Sequence, residues 1–295
     1  MKVALFGGSG FIGRAVGSRL RGDGIEHVAF SHRSRTGGFA PIDFEDPGTY
    51  AHLVTGVTTA VLLVAQSSPG TRSGRAEMDV RKDVLPYARF VEVAAASGLR
   101  HVVYVSSGGT VYGSQRDRTP ICEDHPTSPA GAYGAAKLMT EAMLKSLLGS
   151  AGIGLTVLRP SNPVGTAQRF AATGFVARAV HASVSGTEID VWGDGSAVRD
   201  YFDVSDLADA VLRALHTDHP FRVYNVGSGV GTSIDEVLAL VRDLGGREIR
   251  RRNLPARPFD VPLNVLSSER IAGDLGWTAT KDLRRIVSEL LEAFR

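Results

Sequence analysis

The sequence predicts an α/β fold: a parallel sheet wound by helices on both faces, followed by a smaller mixed α/β unit. Three observations carry that expectation. Short apolar runs alternate with helix-period segments as far as residue 160, the pattern of a parallel sheet with crossover helices. The first of these runs passes directly into closely spaced glycines and then into a helix. Beyond residue 165 the alternation gives way to shorter helices and scattered strands. The division expected is 1–165 and 166–295, with some of the later chain crossing back to the first sheet.

Lys2-Val3-Ala4-Leu5-Phe6 suits a strand buried on both faces, and Gly7-Gly8-Ser9-Gly10-Phe11-Ile12-Gly13 opens a helical pattern through Leu20. Glycines at 7, 10 and 13 let the backbone turn tightly and approach a pyrophosphate, whose charge a helix N-terminus stabilises. In this strand-to-helix setting they mark a dinucleotide loop of Rossmann type, with Gly7, Gly10, Phe11, Ile12 and Gly13 as cofactor contacts. A second strand, 27–30, ends in Ser31-His32-Arg33-Ser34-Arg35. A site for NAD usually places Asp or Glu there to hold the ribose diol; Ser31 with Arg33 suits a 2′-phosphate, so NADP is expected in preference to NAD.

Residues 41–44 read as a short third strand, with Asp43 placed to accept from an adenine amino group. Residues 61–65 form a fourth strand whose end lies against the cofactor. The Gly/Ser/Arg-rich stretch 66–75 has no period and reads as a mobile rim. One long helix over 76–97 closes at Gly98. The fifth strand, 101–105, runs into Ser106-Ser107-Gly108-Gly109-Thr110-Val111-Tyr112-Gly113. Hydroxyls at the carboxyl end of a parallel strand face the ligand crevice, where they either serve a proton relay or only cap the turn. A Pro-rich lead follows, then a helix, then a sixth strand at 155–159. Past Pro160-Ser161-Asn162-Pro163-Val164-Gly165 come helix 170–182, strand 188–192, a helix to about 216 led by Arg199-Asp200-Tyr201, strand 222–226, and helices 233–244, 268–275 and 283–294. That is too little chain for an independent catalytic domain and enough for a lid over a substrate.

Chemistry concentrates in Ala132-Tyr133-Gly134-Ala135-Ala136-Lys137. Residues four apart share a helix face, so phenol and ammonium meet over one patch, and a nearby cation favours the phenolate. Such a phenol can take a proton from an alcohol or return one to a ketone.

Composition excludes other classes. The chain has 295 residues, 43% hydrophobic and 22% charged, with a formal net charge of +2. Nothing there argues for nucleic acid or a membrane as partner. Arg250-Arg251-Arg252 reads as a solvated strand end. The single cysteine, Cys122, cannot form an internal disulfide, and no signal peptide or apolar span is evident. A cytoplasmic protein is expected, and no metal site.

Together the motifs resemble the extended short-chain dehydrogenase/reductases, specifically the nucleotide-sugar epimerases and dehydratases typified by UDP-glucose 4-epimerase. Gly7-x-x-Gly10-x-x-Gly13, the Ser-rich turn before Val111-Tyr112-Gly113, Tyr133-x-x-x-Lys137, Arg159-x-x-Asn162-Pro163-x-Gly165, Arg199-Asp200-Tyr201 and Arg257-x-x-Asp260 occur in the family's order. The resemblance implies that Tyr133 is the acid/base at C4 of a sugar, and that Lys137 holds the nicotinamide ribose and lowers the Tyr133 pKa. It further implies that Asp43 and Phe44 flank the adenine, Val64 and Ala65 the nicotinamide, and Pro160 and Ser161 the carboxamide side. Asn162, Arg199 and Arg257 then hold a nucleotide-diphosphate sugar, and Trp192 lies where the base is gripped or in the small unit's core. Relatives commonly pair as homodimers through the helices here placed at 76–97 and 132–150.

Three departures stand out. Counting forward from the fifth strand makes Ser107 the catalytic hydroxyl, whereas counting back from Val111 picks Gly108; the strand is the firmer anchor, and Thr110 is the second candidate. Asp83-Val84-Leu85-Pro86-Tyr87 stands where relatives more often carry Asn-Val-x-Gly-Thr. The acidic residue after the second strand is missing. The implied activity is 4-epimerisation by transient oxidation at C4. The alternatives are an NADPH-dependent 4-ketoreductase of deoxysugar synthesis and a non-catalytic NADP sensor.

Overall fold

Successive side chains of the first strand, β1 (Lys2–Phe6), serve opposite faces: Ala4 and Phe6 enter one core, Val3 and Leu5 the other. The chain then builds α1 (Phe11–Gly22), β2 (Glu26–Ser31), β3 (Ala40–Pro41), β4 (Thr59–Leu62), α2 (Ala76–Asp83), α3 (Leu85–Ser97), β5 (His101–Val105), α4 (Gly108–Val111), α5 (Ala132–Ser150) and β6 (Gly154–Pro160). The computed structural model describes residues 1–32, 38–67, 76–115, 117, 119–170, 173–217, 219–257 and 260–294, with backbone alone at 76–79 and 169–170. Arg33, Arg35 and most of the expected rim thus lie outside the described residues.

Beyond β6 come β7 (Asn162–Val164), α6 (Phe175–Ser185), β8 (Ile189–Trp192), β9 (Val198–Asp203), α7 (Val204–Ala214), β10 (Phe221–Val226), β11 (Gly231–Ser233), α8 (Ile234–Gly245), β12 (Arg251–Leu254), β13 (Leu263–Asn264), α9 (Glu269–Leu275) and α10 (Leu283–Phe294). The large sheet is seven-stranded in the order β10-β6-β5-β4-β1-β2-β3, and every pairing in it is parallel. The order reverses between β1 and β4, which opens a crevice at their carboxyl ends. One face is covered by α3 and α5, through Phe90, Ala94, Leu144 and Leu148. The other is covered by α1 and α7, with Val16, Leu20, Leu207 and Val211, and by Ile271 and Trp277 from the tail. Residues 166–295 therefore do not stand apart: β10 closes the sheet edge while α6, α8 and α10 pack into a core of their own.

β9 organises the smaller sheet, pairing with β7, β11 and β13. Since β7 follows β6 after a single residue, Ser161 is the hinge by which the chain leaves one sheet for the other.

Several elements differ from the sequence expectation. The helix expected over 76–97 breaks at Val84, because Pro86 lacks the N–H that a continuous helix would donate toward residue 82 and its ring crowds that turn. Asp83 thereby becomes the last residue of α2. The third strand lies at 40–41 and the fourth at 59–62, with Leu63 N past its end still donating to the Phe6 carbonyl at 3.1 Å. α6 begins at 175 rather than 170 because Gly174, at φ 83°, is its N-cap. β9 escaped notice because two of its buried residues, Asp200 and Asp203, are acids that interrupt the apolar pattern. Among the described residues no helix is long and apolar enough to cross a membrane.

Candidate active site

α5 can carry its phenol into the crevice only because it lies unusually close to the turn after β5. A Cβ on Gly134 would fall 2.5 Å from the Thr110 carbonyl oxygen, so only glycine permits that approach. The approach brings the half-buried Tyr133 phenol close enough to the Ser107 hydroxyl for Ser107 to lower its proton affinity. Thr110 is turned away, its hydroxyl donating to the Ser107 carbonyl at 3.4 Å. Of the two candidate hydroxyls, Ser107 is therefore the one beside the phenol. It is also the N-cap of α4, with no capping bond from its side chain, which leaves its hydroxyl for the site.

Lys137, one turn on, is 6% exposed. Its Nζ donates to the Val105 carbonyl at 3.1 Å and lies 5.0 Å from the Tyr104 ring centroid and 5.8 Å from that of Tyr133. Burial pushes the ammonium down to about 8, against the upward pull of Asp83 and Glu141. The Tyr133 phenol is pushed up to about 12, by burial first and then by the Asp83 charge, with only the Ser107 bond pulling it down. Burial and Asp83 together thus outweigh what favours the phenolate in the protein alone. Desolvation outweighs a cation whose nearest oxygen partner is a main-chain carbonyl.

Beneath this pair lies a buried network that sequence reasoning missed. The Arg159 guanidinium forks onto Glu141 of α5 at 2.6–3.2 Å and donates to Tyr112 at 2.9 Å; Tyr112 donates to Asn225 of β10 at 2.7 Å. Ser106 donates a further bond to Glu141. The one available signal was the Lys137/Glu141 spacing of four, which puts the carboxylate on the inward face of α5.

The glycine loop fits a dinucleotide. A Cβ on Gly13 would fall 2.2 Å from the Gly7 carbonyl, so α1 packs directly on the turn. At the α1 N-terminus no side chain caps the helix and no acid stands in its first turn, which leaves the main chain of Phe11 and Ile12 to an anion. Ser31, 2% exposed, bonds Ser9 of the loop at 2.6 Å. Asp43 is exposed, with a carboxylate oxygen on Glu45 N at 2.9 Å, whereas the Phe44 ring is buried among Phe6, Tyr50, Tyr87 and Phe90 and offers a ligand only its main chain. Val64 and Ala65 line a small cavity together with Ser67, Asp83, Tyr133, Ala136 and Lys137. Pro160 ends β6, and the buried Ser161 hydroxyl that follows has no hydrogen-bond partner among the described residues, a vacancy suited to a polar ligand group.

A second cluster is drawn from β9, from β8 of a separate two-stranded sheet with β12, and from the segment after β12. Arg257 grips Asp260 at 2.8 and 2.9 Å and stacks 5.1 Å from the centroid of Trp192, which is 40% exposed. Arg199 feels both: Asp260 raises and Arg257 lowers its affinity for the proton, and burial lowers it most. Two guanidiniums against one carboxylate leave a net positive field suited to a diphosphate. Asn162 pairs across to Tyr201 in the sheet and donates to the Asp200 carbonyl at 3.1 Å.

Replacing Glu141 by Gln leaves Arg159 buried without a counter-charge. Urea unfolding of Glu141→Gln is expected to show a loss of about 3 kcal/mol, and the same substitution at the exposed Glu248 no measurable change.

The model of the NAD dependent epimerase/dehydratase family matches residues 3–227. A UDP-glucose 4-epimerase of Mycolicibacterium smegmatis is 29% identical over 310 residues, covering 100% of this chain and 99% of that protein. Among solved structures, a UDP-glucose 4-epimerase of Thermotoga maritima with UDP-glucose superposes with a TM-score of 0.93 at 26% identity, over 100% of this chain and 98% of the other. A Thermus thermophilus UDP-glucose 4-epimerase in complex with NAD gives 0.92 at 26% identity, over 100% and 99%.

Proposed function

The chain belongs to the NAD dependent epimerase/dehydratase family, and from that premise we propose that it is a nucleotide-sugar 4-epimerase acting by transient oxidation at C4. The observation that carries this reading is that Tyr133 and Lys137 line one cavity with Val64 and Ala65, the segment just past β4, with Ser107 near enough to act on the phenol. Its relatives' names make a uridine diphosphate sugar the substrate to test first.

A bound nicotinamide supplies the acceptor and donor of the C4 hydride. The chain supplies the rest. Tyr133, with Ser107 bridging, takes the proton of the C4 hydroxyl and returns it once the 4-keto sugar has turned its other face. Lys137, seated between the Val105 carbonyl and the Tyr104 ring, keeps a positive charge under the site. Arg199, Arg257 and Asn162 hold the diphosphate while Trp192 offers a face to the base, so the sugar turns about a fixed anchor. Purified protein given UDP-glucose is expected to form the C4 epimer by proton NMR with no net change in nicotinamide absorbance. Tyr133→Phe is expected to lower kcat by about 10²–10⁴-fold, the range for a lost acid/base group. Stoichiometric oxidation of NADPH with a 4-keto nucleotide sugar, in the absence of epimerisation, would instead establish a ketoreductase.

The cofactor preference proposed is NADP. Where a carboxylate would repel a 2′-phosphate this chain carries Ser31, followed in sequence by Arg33. Mass spectrometry of the nucleotide released from acid-denatured protein is expected to show NADP in excess of NAD, and NAD alone would refute the preference.

Two copies are proposed to pair through α3 and α5. Leu85, Met139 and Leu147 are 44%, 46% and 41% exposed, and all three lie on these helices. Light scattering is expected to give a dimer for the parent chain and a folded monomer for Leu147→Glu.

A further inference from the structure

Two carboxylates face Lys137, and they are not equivalent. Glu141, on α5 itself, is neutralised: Arg159 of β6 forks onto it and Ser106 donates to it. Asp83, from α2, has no such partner. It is buried at 9% exposure and makes no ion pair among the described residues; one carboxylate oxygen accepts from Gln66 N at 2.7 Å and Ser67 N at 3.4 Å. It sits at the carboxyl end of its helix, where the backbone dipole disfavours an anion. It also shares the small cavity of Tyr133 and Lys137. The other groups around that cavity are the phenols of Tyr87 on α3 and Tyr104 on β5, both neutral because burial drives them up, and the uncharged hydroxyls of Ser107 and Ser67. Asp83 is thus the one uncompensated negative charge among the described groups facing the pair.

We propose that Asp83 is a positioning residue of the catalytic pair, a fixed negative charge in the cavity of Tyr133 and Lys137 that favours the proton on both and so sets the pH range in which they exchange it. The same carboxylate anchors the end of the β4 loop, and its main-chain carbonyl accepts from Thr140 of α5 at 3.1 Å. Charge and loop are therefore delivered to α5 by one residue. The direction follows from the field of an anion: it favours the proton on both neighbours, opposing the burial of Lys137 and adding to that of Tyr133.

Asp83→Asn keeps an acceptor for Gln66 and Ser67 and removes only the charge. The first readout does not need turnover: protein labelled with carbon-13 at lysine Cε, with the Lys137 signal assigned by its loss in Lys137→Met, is titrated by NMR. Its midpoint is expected near pH 8 in the parent chain, about one unit lower in Asp83→Asn and unmoved in Asp83→Glu. The kinetic readout rests on the epimerase reading. Both limbs of the pH–kcat profile are expected to slide to lower pH together, whereas a merely structural residue would lower the profile without moving it. A Lys137 midpoint unmoved in Asp83→Asn overturns the inference. If that variant does not fold, a midpoint displaced in Asp83→Glu does so instead, and an unmoved one there supports it. A parent chain that epimerises nothing would refute the proposed activity and leave the lysine titration to decide this point by itself.

Discussion

A close approach of helix to carbonyl governs the site: α5 passes the Thr110 oxygen at a distance that excludes any side chain at position 134. The rest of the constellation depends on that approach. It carries Tyr133 to Ser107, and it sets Lys137 over the last carbonyl of β5 and the Tyr104 ring. From the other side the Glu141–Arg159 pair fixes the same helix to β6. The pair is fully forked and further bonded by Ser106 and Tyr112, the condition under which a buried charge pair offsets its desolvation. Its value to the protein lies in uniqueness of seating more than in net stability.

Much of this was legible in the sequence because it rests on local chemistry. Apolar runs gave the strands, and the glycines gave the turn that α1 needs. The Tyr133/Lys137 spacing gave one helix face. What escaped depends on contacts between distant segments. Nothing near Phe44 announces that its ring belongs to the aromatic core, since that is decided by Phe6, Tyr87 and Phe90. β9 was hidden because Asp200 is buried, and its four hydrogen bonds come from Ser228, Gly229 and Leu266, far along the chain. The proton affinity of Tyr133 could not be read from the sequence, because spacing reveals a neighbouring cation but not desolvation, nor an acid on another helix.

Pro86 joins the two kinds of evidence. Its position in the sequence breaks a helix, and the break turns Asp83 from a mid-helix residue into a terminal one. A terminal residue can reach across to the loop after β4, as Asp83 does to Gln66 and Ser67. The departure from the family's pattern in 83–87 is therefore one structural change with two parts, a proline that ends α2 and a carboxylate that uses the freed end.

The two clusters of the site belong to different sheets, yet the chain between them is short. β6 ends at Pro160, Ser161 follows, and Asn162 already pairs with Tyr201 beside Arg199. The later half contributes in return: β10 lies along β6, and its Asn225 accepts the Tyr112 hydroxyl and passes the network that begins at Glu141 on to the Ile121 carbonyl. Without residues 221–226, β6 would be an open edge and the Tyr112–Arg159–Glu141 chain would lose its Asn225 acceptor. Residues 1–165 therefore hold Tyr133 and Lys137 but do not by themselves complete the support beneath them. The segment that carries Arg199 and Arg257 also secures the seat of the Tyr133 phenol, so the two clusters are referenced to one frame.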